Sequence, residues 1–343
     1  MKRTRSLCEA ATRISPPPTL TTVPGDLGVG FTPSVVNPTR AFVYNIHGHL
    51  KVLTLIEGKW SLSPATNNSL TDSCFTFTTR ADKESTDDED DEEGPEEAVW
   101  EVGSVFEVPS DAKSLFLRGL TVDSSGDMFS CFSTHYNAIF RGMADGLVAT
   151  SAFQVLRNGK PASIQSAMML ADGEFIVMTM DRTIVLTINP IDSKVSPLRF
   201  KDVEMSHWKK MIRGRHFLHV IAMDKWVTFN YSGGLVKVTD MSSFKPSFYT
   251  SYQCSNRDGG LLILMCSHSN PEEQSLYYTA DADSMPSVCG ECDVLELKSA
   301  ISSMDSILLD DGTLRVFFIL SKDGSVAIVD YPITKPGKRA RVG

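Results

Sequence analysis

The chain has 343 residues, of which 42% are hydrophobic, 22% charged and 9% aromatic, as is ordinary for a globular protein. Its apolar runs fall short of the roughly 18–20 residues that cross a bilayer, so we expect no membrane-spanning helix. The formal net charge is −9, but residues 82–97 alone carry −10, and the nearly neutral remainder excludes the broad basic surface that duplex nucleic acid requires.

The N-terminal segment, residues 1–38, is basic and rich in proline, and its apolar residues follow no period. Such a segment buries too little apolar surface to offset the entropy of ordering, so we predict a disordered arm. Its arginine-rich start is similar to a mitochondrial presequence. Glu9 and the short stretch before Pro16 argue against import, which is therefore kept only as an alternative.

From Arg40 onward, short runs of β-branched and aromatic residues recur, and most are separated by two to five turn-forming residues. This spacing predicts antiparallel hairpins, because apolar runs punctuated by turn residues are typical of that motif. Residues 295–304 are the single internal stretch with a helical pattern. The predicted strands cover residues 41–46, 50–56, 74–79, 128–133, 174–180, 183–188, 216–223, 226–231, 261–266, 275–280, 314–320 and 325–331.

A longer period organises these strands. A loop ending in glycine, an apolar strand, an Asp or Asn turn and a second strand appear five times, at glycine spacings of 47, 41, 45 and 53 residues. The 87 residues between Thr39 and the first glycine leave room for two further units. Seven units of about 46 residues match four-stranded β-propeller blades, with six blades as the alternative. The glycines are Gly126, Gly173, Gly214, Gly259 and Gly312.

The predicted fold class is therefore all-β. We expect a β-propeller of four-stranded blades over residues 39–333, with an acidic disordered insertion at residues 81–98 and a basic tail at residues 334–343. One sheet cannot bury both of its faces, whereas a ring of sheets can. An open sheet edge is a liability, so we expect residues 314–331 to couple tightly to residues 41–46 and close the ring.

The last unit, residues 306–331, has two Asp-Gly turns, each followed by an apolar strand, and ends in Val329-Asp330. This pattern resembles a WD40 repeat, in which the corresponding strand ends in Trp-Asp. Weaker versions recur at residues 167–188 and 214–230. The resemblance implies a WD40-like β-propeller but no particular activity, because one fold hosts many functions. The turn residues are Asp172-Gly173, Asp181, Gly214, Asp224, Asp311-Gly312 and Asp323-Gly324.

The sequence departs from the WD40 pattern in two ways. The Gly-His pair between blades is missing, since Gly48-His49 lies inside a predicted hairpin, and no unit ends in Trp-Asp. We therefore expect that the hydrogen-bonded Asp–His–Ser–Trp set that braces many WD40 blades does not form. Asp311 and Asp323 are interpreted as turn residues that bond their own backbone.

Cys289 and Cys292 have the CxxC spacing of half a zinc site or of a redox pair. Cys254, Cys266 and His268 could complete a zinc site, but the sequence has no second CxxC and no HxxxH. We therefore favour the interpretation that Cys289 and Cys292 lie in a turn and bind no metal. The chain has seven cysteines, an odd number, and most of them lie in segments predicted to form strands. Both observations favour reduced thiols over disulfides.

Two pairs of histidines look like ligand pairs, His47 with His49 and His216 with His219. On a strand, residues two apart share a face and residues three apart point oppositely, so only His47 and His49 could cooperate. We interpret these histidines as turn-exposed side chains.

Motifs for catalysis are missing: the sequence has no nucleophile elbow, phosphate-binding glycine loop, HExxH or carboxylate pair in an apolar setting. His207, beside Trp208, is interpreted as a packing residue. We assign no catalytic, cofactor-binding or metal-binding residue and expect no cofactor. A propeller enzyme with a site built from dispersed loop residues is the alternative.

The acidic run at residues 82–97 has two interpretations. It is either a solvated insertion or an electrostatic attractant for basic proteins such as histones. Ser85 and Thr86 precede seven consecutive acidic residues, so both are candidate phosphorylation sites that would deepen the negative charge.

The C-terminal tail is basic and resembles a nuclear import signal, with an ordinary solvated terminus as the alternative. The sequence therefore predicts a non-catalytic protein-interaction scaffold in a multi-subunit nuclear or nucleocytoplasmic complex. A chaperone of basic proteins that uses residues 82–97 is an alternative function, and the cytoplasm is an alternative location. The tail's charged residues are Lys335, Lys338, Arg339 and Arg341.

Overall fold

A computed structural model describes most of the strand-forming part of the chain. The described residues are 19–23, 27, 31–45, 49–65, 67–68, 99–102, 119–122, 128–132, 136–143, 146–169, 175–179, 184–189, 194–199, 208–222, 225–232, 234–240, 251–257, 260–266, 274–279, 281–284, 290–292 and 301–332.

Within these ranges the secondary structure is 27 β-strands and one 3₁₀ turn, Ala282–Ser284. In the same ranges, no helix has the length and apolar character that crossing a bilayer demands. The strands are β1 Thr19–Val23, β2 Phe31–Asn37, β3 Arg40–Asn45, β4 Leu50–Ile56, β5 Lys59–Pro64, β6 Asn67–Asn68, β7 Trp100–Val102, β8 Gly119–Val122, β9 Met128–Phe132, β10 Tyr136–Met143, β11 Gly146–Arg157, β12 Lys160–Pro161, β13 Ile164–Met169, β14 Phe175–Thr179, β15 Ile184–Asn189, β16 Lys194–Arg199, β17 Trp208–Arg213, β18 Phe217–Ala222, β19 Lys225–Asn230, β20 Leu235–Asp240, β21 Ser251–Arg257, β22 Gly260–Cys266, β23 Gln274–Thr279, β24 Gly290–Cys292, β25 Ile301–Leu308, β26 Thr313–Leu320 and β27 Val326–Pro332.

The chain forms two compact units. The first comprises residues 1–44, 51–64 and 200–343, and the second comprises residues 45–50 and 65–199. The first unit contains four-stranded sheets in the orders β2-β3-β4-β5, β17-β18-β19-β20, β21-β22-β23-β24 and β1-β27-β26-β25. The second contains the sheet β13-β14-β15-β16 and a seven-stranded sheet built on β12-β11-β10-β9-β8, in which β6 and β7 also pair with β11.

Strand β26 shows why the sheets of the first unit pack face to face. Its residues Phe317 and Ile319 belong to one buried apolar cluster, shared with the β2–β5 sheet. The alternate residues Val316 and Phe318 belong to another cluster, which includes Leu262 of the β21–β24 sheet. Because successive side chains of a strand point to opposite faces, the four consecutive apolar residues from Val316 to Ile319 bury β26 on both sides.

The second unit has its own core. Trp100, Phe153 and Val155 pack with Ile164, Phe175 and neighbouring apolar residues in one buried cluster. The rings of Phe153 and Phe175 lie 5.6 Å apart between centroids. The seven-stranded sheet and the β13–β16 sheet therefore share a core within this unit.

The last sheet is completed by a strand from the start of the chain. β1 pairs antiparallel with β27 in a register that runs from Thr19 opposite Asp330 to Val23 opposite Val326. Residues 41–46 do not complete this sheet, because they lie in the β2–β5 sheet, but Ala41 and Val43 pack in one buried cluster with Phe317 and Ile319 of the last unit. The predicted disordered arm was wrong for residues 19–23 and 31–37, which form β1 and β2.

Eleven of the predicted strands are found, within a residue or two at each end. The twelfth, residues 74–79, lies outside the described residues. The helical pattern at residues 295–304 was wrong for residues 301–304, which belong to β25 and pair with β26, and residues 295–300 lie outside the described residues. The number of blades, seven or six, stays a prediction.

The two Asp-Gly turns of the last unit are confirmed. Asp311 accepts a hydrogen bond from the Thr313 backbone N–H at 2.8 Å, and Asp323 accepts one from the Ser325 N–H at 2.9 Å. Gly312 and Gly324 have φ of 86° and 66°, which glycine adopts without strain. The hydrogen bond from the Thr313 backbone N–H lowers the pKa of Asp311, and the bonds from the Ser325 hydroxyl and backbone N–H lower the pKa of Asp323.

Candidate functional site

A buried polar cluster lies in the β17–β20 sheet. His219 of β18 stands directly opposite Thr228 of β19 in the register, and Trp226 lies two residues before Thr228 on the same face. The imidazole of His219 is 0% exposed, and its ring centroid lies 5.6 Å from that of Trp226. We call His219, Thr228, Trp226 and Asp283 the His219 cluster.

The hydrogen bonds of the His219 cluster fix its protonation state. Trp226 donates its indole N–H to His219 Nδ1 at 3.1 Å, and the Thr228 hydroxyl lies 3.0 Å from the same nitrogen. An indole can only donate, so Nδ1 is an acceptor and the proton of the neutral imidazole is on Nε2. Nε2 lies 3.0 Å from Asp283 Oδ1 and donates to it.

Asp283 belongs to a different sheet, β21–β24, where it lies in the connection between two strands. It lies in the 3₁₀ turn between β23 and β24, and its side chain is 9% exposed. Its second oxygen accepts the His216 backbone N–H at 2.7 Å, and its own N–H donates to Asp281 Oδ1 at 3.1 Å. One carboxylate therefore ties the β23–β24 connection to both the β17–β18 turn and strand β18.

The β17–β18 turn is shaped to receive Asp283. Gly214 donates its N–H to the Phe217 carbonyl at 2.8 Å, and the Tyr231 hydroxyl donates to the Gly214 carbonyl at 2.7 Å. A Cβ on Gly214 would overlap Asp283 Oδ1 and approach the Phe217 carbonyl to 2.8 Å. Only glycine therefore fits at position 214, because the Asp283 carboxylate approaches its Cα too closely for any side chain. Burial raises the pKa of Tyr231, and Arg213 opposes this shift.

Burial lowers the pKa of His219 below its ordinary value, although the hydrogen bond and charge of Asp283 act in the opposite direction. The direction agrees with the geometry, because a second proton on Nδ1 would face the Trp226 N–H. The imidazole is therefore neutral at physiological pH.

The order Asp–His–Thr is also that of a catalytic relay, in which histidine activates a hydroxyl. In this cluster the Nδ1 lone pair is already shared with Trp226, and both His219 and Thr228 are buried. A substrate cannot reach the hydroxyl in this arrangement. The geometry favours a brace between two sheets of the first unit.

The sequence interpretation of this region needs two corrections. His219 was expected to be turn-exposed, yet it is fully buried, whereas His216 is exposed as expected. The Asp–His–Ser–Trp set was expected not to form, yet the His219 cluster is an analogous set with threonine in place of serine. The histidine lies on a strand rather than in a Gly-His pair between blades.

A second feature of the same sheet is its last strand, β20. Leu235, Val236 and Val238 are 47%, 49% and 44% exposed, and Lys237 between them is exposed as well. Among the described strands, β20 pairs only with β19. Its pairing shifts register at Val236, which has no partner between Lys237 opposite Thr228 and Leu235 opposite Phe229.

Two other edge strands of the first unit, β1 and β5, expose mainly polar side chains, whereas the edge strand β25 exposes one large apolar residue, Leu308, at 46%. β5 exposes Lys59, Ser61 and Ser63, while its large apolar residues are partly covered. β1 exposes Thr21 and Thr22. β20 therefore departs from the rule that sheet edges avoid exposed apolar residues.

Several residues singled out in the sequence lie outside the described part of the chain. This holds for the phosphorylation candidates, the acidic run, the basic tail and the first cysteine of the CxxC pair. Among the described residues, no group of three or more His, Cys, Asp or Glu side chains could hold a metal ion. The residues concerned are His47, Ser85, Thr86, residues 82–97, His207, His268, Cys289, Lys335, Lys338, Arg339 and Arg341.

Asp330, which stands where a WD40 repeat has its aspartate, has a structural role. Its two oxygens accept hydrogen bonds of 2.7 Å from Nε and Nη2 of Arg315, which also donates to the Pro38 carbonyl. The guanidinium lies 5.6 Å from the ring centroid of Trp60. Asp330 therefore holds Arg315 between two sheets of the first unit.

Comparisons with known proteins concern the fold. No protein-family model matches the chain, and no curated protein matches its sequence. YCF48 bound to D1 peptide is similar in structure, with a TM-score of 0.50 and 10% identity over 93% of this chain and 98% of that chain. The WD40 β-propeller domain of Doa1 has a TM-score of 0.48 and 10% identity, covering 91% of this chain and 96% of that chain.

Hsv2 of Kluyveromyces marxianus has a TM-score of 0.37 and 13% identity, covering 62% of this chain. The match spans 61% of the length of Hsv2. At such identities a likeness shows the fold alone. The chain is an all-β protein with a WD40-like β-propeller fold.

Proposed function

We propose that the protein is a non-catalytic interaction scaffold, a subunit of a multi-protein complex that holds partner proteins on the rigid sheets of a propeller. The observation that carries the proposal is the exposed apolar row of β20, formed by Leu235, Val236 and Val238. Exposed apolar side chains that lie together on a rigid element mark interaction sites more often than scattered ones do.

The rest of the described chemistry supports this reading. His219 and Thr228, whose order resembles a catalytic relay, are buried within the sheet. β20 lies at the edge of the same sheet, beside the strand that carries Thr228. The fold is compatible with the role, since YCF48 has a similar fold and its solved structure is described as bound to a peptide.

We further propose that the complex is nuclear or nucleocytoplasmic. The support is the basic sequence of the tail, in which Lys335, Lys338, Arg339 and Arg341 form a pattern similar to an import signal. A fluorescent fusion of the full chain tests this location. Loss of nuclear signal on replacing the four residues by alanine supports it, and an unchanged distribution contradicts it.

Affinity purification of the tagged full chain tests the scaffold role. The variant Leu235→Ser/Val238→Ser removes apolar side chains from β20. The control Ile56→Ser/Leu308→Ser removes exposed apolar side chains elsewhere in the first unit. We expect a defined set of partners that the β20 variant loses and the control keeps. Identical partners for all three proteins, or no stoichiometric partner at all, would contradict the proposal.

A further inference from the structure

We propose that β20 accepts an extended segment of a partner protein as an added strand, and that this segment carries an acidic side chain opposite Lys237 beside an apolar side chain opposite Val238. This inference rests on the proposed scaffold function and adds the chemistry of the partner. The occupant is thus an acidic and apolar strand of another protein.

The first step of the argument is the open edge. The last strand of a sheet presents backbone N–H and C=O groups to an incoming strand, which can then pair by backbone hydrogen bonds. The register shift at Val236 interrupts regular pairing, so the four residues from Lys237 to Asp240 form the regular part of this edge. The added strand is therefore short.

The second step is the alternation of side chains. Val238 and Leu235 share a face with Val227 and Phe229, both fully buried, so they extend an apolar surface outward. Lys237 lies on the opposite face, across from Thr228. A strand added to this edge therefore needs apolar and polar side chains in alternation.

The third step is charge. Asp240 lies opposite Lys225 in the register, so its charge faces one of opposite sign. Lys237 lies opposite the neutral Thr228, and among the described residues it makes no hydrogen bond or ion pair. Within the described part of the chain the charge of Lys237 is therefore not paired with an opposite charge, and a carboxylate at the opposite position of an added strand complements it.

The same lysine argues against a second copy of this chain as the occupant. A second copy brings another Lys237 to the same edge, and like charges at facing positions destabilise a strand pair. Lys237 thus disfavours pairing with a second copy of the chain and favours pairing with an acidic strand.

Strand β20 is also positioned by the His219 cluster in the absence of a partner. Thr228, which faces Lys237, is bonded to His219, and Trp226, which faces Thr239, is bonded to the same ring. These bonds fix β19 against β18, and β19 in turn positions β20. A preformed edge lowers the ordering cost of binding a strand.

The test uses a phage library of random short peptides, selected on the purified full chain. Parallel selections use Lys237→Glu and, as a matched control, Lys59→Glu on the polar outer strand β5. We expect wild type and Lys59→Glu to enrich peptides in which an acidic residue adjoins a β-branched or other apolar residue. Lys237→Glu should enrich lysine or arginine at that position, because its central charge is reversed.

Enriched peptides are then synthesised and titrated by fluorescence anisotropy. Exchanging attraction for repulsion at one exposed pair should weaken binding of the acidic peptides to Lys237→Glu about tenfold, with no change for Lys59→Glu. Val238→Ser should weaken binding as well. Both β20 variants should unfold at the wild-type urea midpoint, since they change exposed side chains.

The inference is overturned if wild type and Lys237→Glu enrich the same peptides, or if no peptide is enriched. A solution dimer that Lys237→Glu abolishes would assign the edge to a second copy and would also overturn it. The scaffold proposal is tested separately, because it fails when no partner co-purifies. Partners that co-purify equally with wild type and Lys237→Glu would leave the scaffold standing and remove only the acidic-strand inference.

Discussion

Replacing His219 by alanine tests the structural role of the buried cluster. The change removes the acceptor of two buried donors, the Trp226 indole N–H and the Thr228 hydroxyl. Each buried polar group left without a partner costs about 1–3 kcal/mol, and the missing imidazole adds a cavity. We expect a loss of about 3–5 kcal/mol in the free energy of unfolding, a large part of the stability of a typical domain.

The measurement is urea unfolding followed by tryptophan fluorescence, a signal that Trp226 shares with the three other tryptophans of the chain. A loss of this size lowers the urea midpoint by about 1–2 M. His216→Ala is the matched control, because His216 is exposed and only its backbone N–H bonds to Asp283. Its midpoint should stay near that of the wild type. Asp283→Asn keeps an oxygen acceptor for His219 and should fall between the two.

Two results would refute this reasoning. One is an unfolding midpoint of His219→Ala equal to that of the wild type. The other is an equal loss in His216→Ala, which would show that any change in this segment has the same effect.

Three further predictions follow from the first unit. Burial lowers the pKa of His219 in the folded state, so the unfolded chain binds a proton near pH 6.5 that the folded chain does not. Stability should therefore fall as pH drops below about 6.5, by up to about 1.4 kcal/mol per pH unit, and this component should vanish in His219→Gln when urea midpoints are compared across pH. A parallel pH dependence in wild type and variant would contradict the assignment. Gly214→Ala should displace Asp283 and lower the thermal midpoint of unfolding. The control is Gly58→Ala, at an open position with positive φ, which should cost about 1 kcal/mol of stability through backbone strain alone. Equal midpoints for Gly214→Ala and wild type would contradict the role of Gly214. Deleting residues 1–30 removes β1 and opens the edge of β27, so the protein should aggregate or unfold at lower urea, while deletion of residues 1–18 leaves β1 whole and should have no effect on the midpoint. Equal stability of the two truncations would exclude β1 as the closing strand.

The sequence predicts much of the fold because the relevant signals are local. β26 and β27 are apolar at nearly every position, and turn residues such as Asp311-Gly312 separate the strands of the last unit. β1 was missed because TLTTV is short and weakly apolar, and its partner Asp330 lies more than 300 residues further along the chain. Pairing at such separation cannot be read from periodicity.

The candidate site was less predictable. Spacing within one strand shows that His216 and His219 point in opposite directions, but it does not show which of them faces the core. That depends on the register that places His219 opposite Thr228, and on Asp283 reaching it from 64 residues away. β20 was missed as well, because LVKVTD is short and its significance lies in its exposure at an edge, which only the tertiary fold determines.

The central claim is that a partner protein occupies β20, and site-specific photo-crosslinking in cells tests it most directly. A photoreactive amino acid replaces Val238 on β20 in one version of the full chain and the exposed Ser61 on β5 in another. The account predicts that the probe at position 238 captures a distinct partner protein, that the captured segment is acidic and apolar, and that the probe at position 61 does not capture it. Equal capture at both positions, or no adduct at position 238 while partners still co-purify with the chain, would contradict the account.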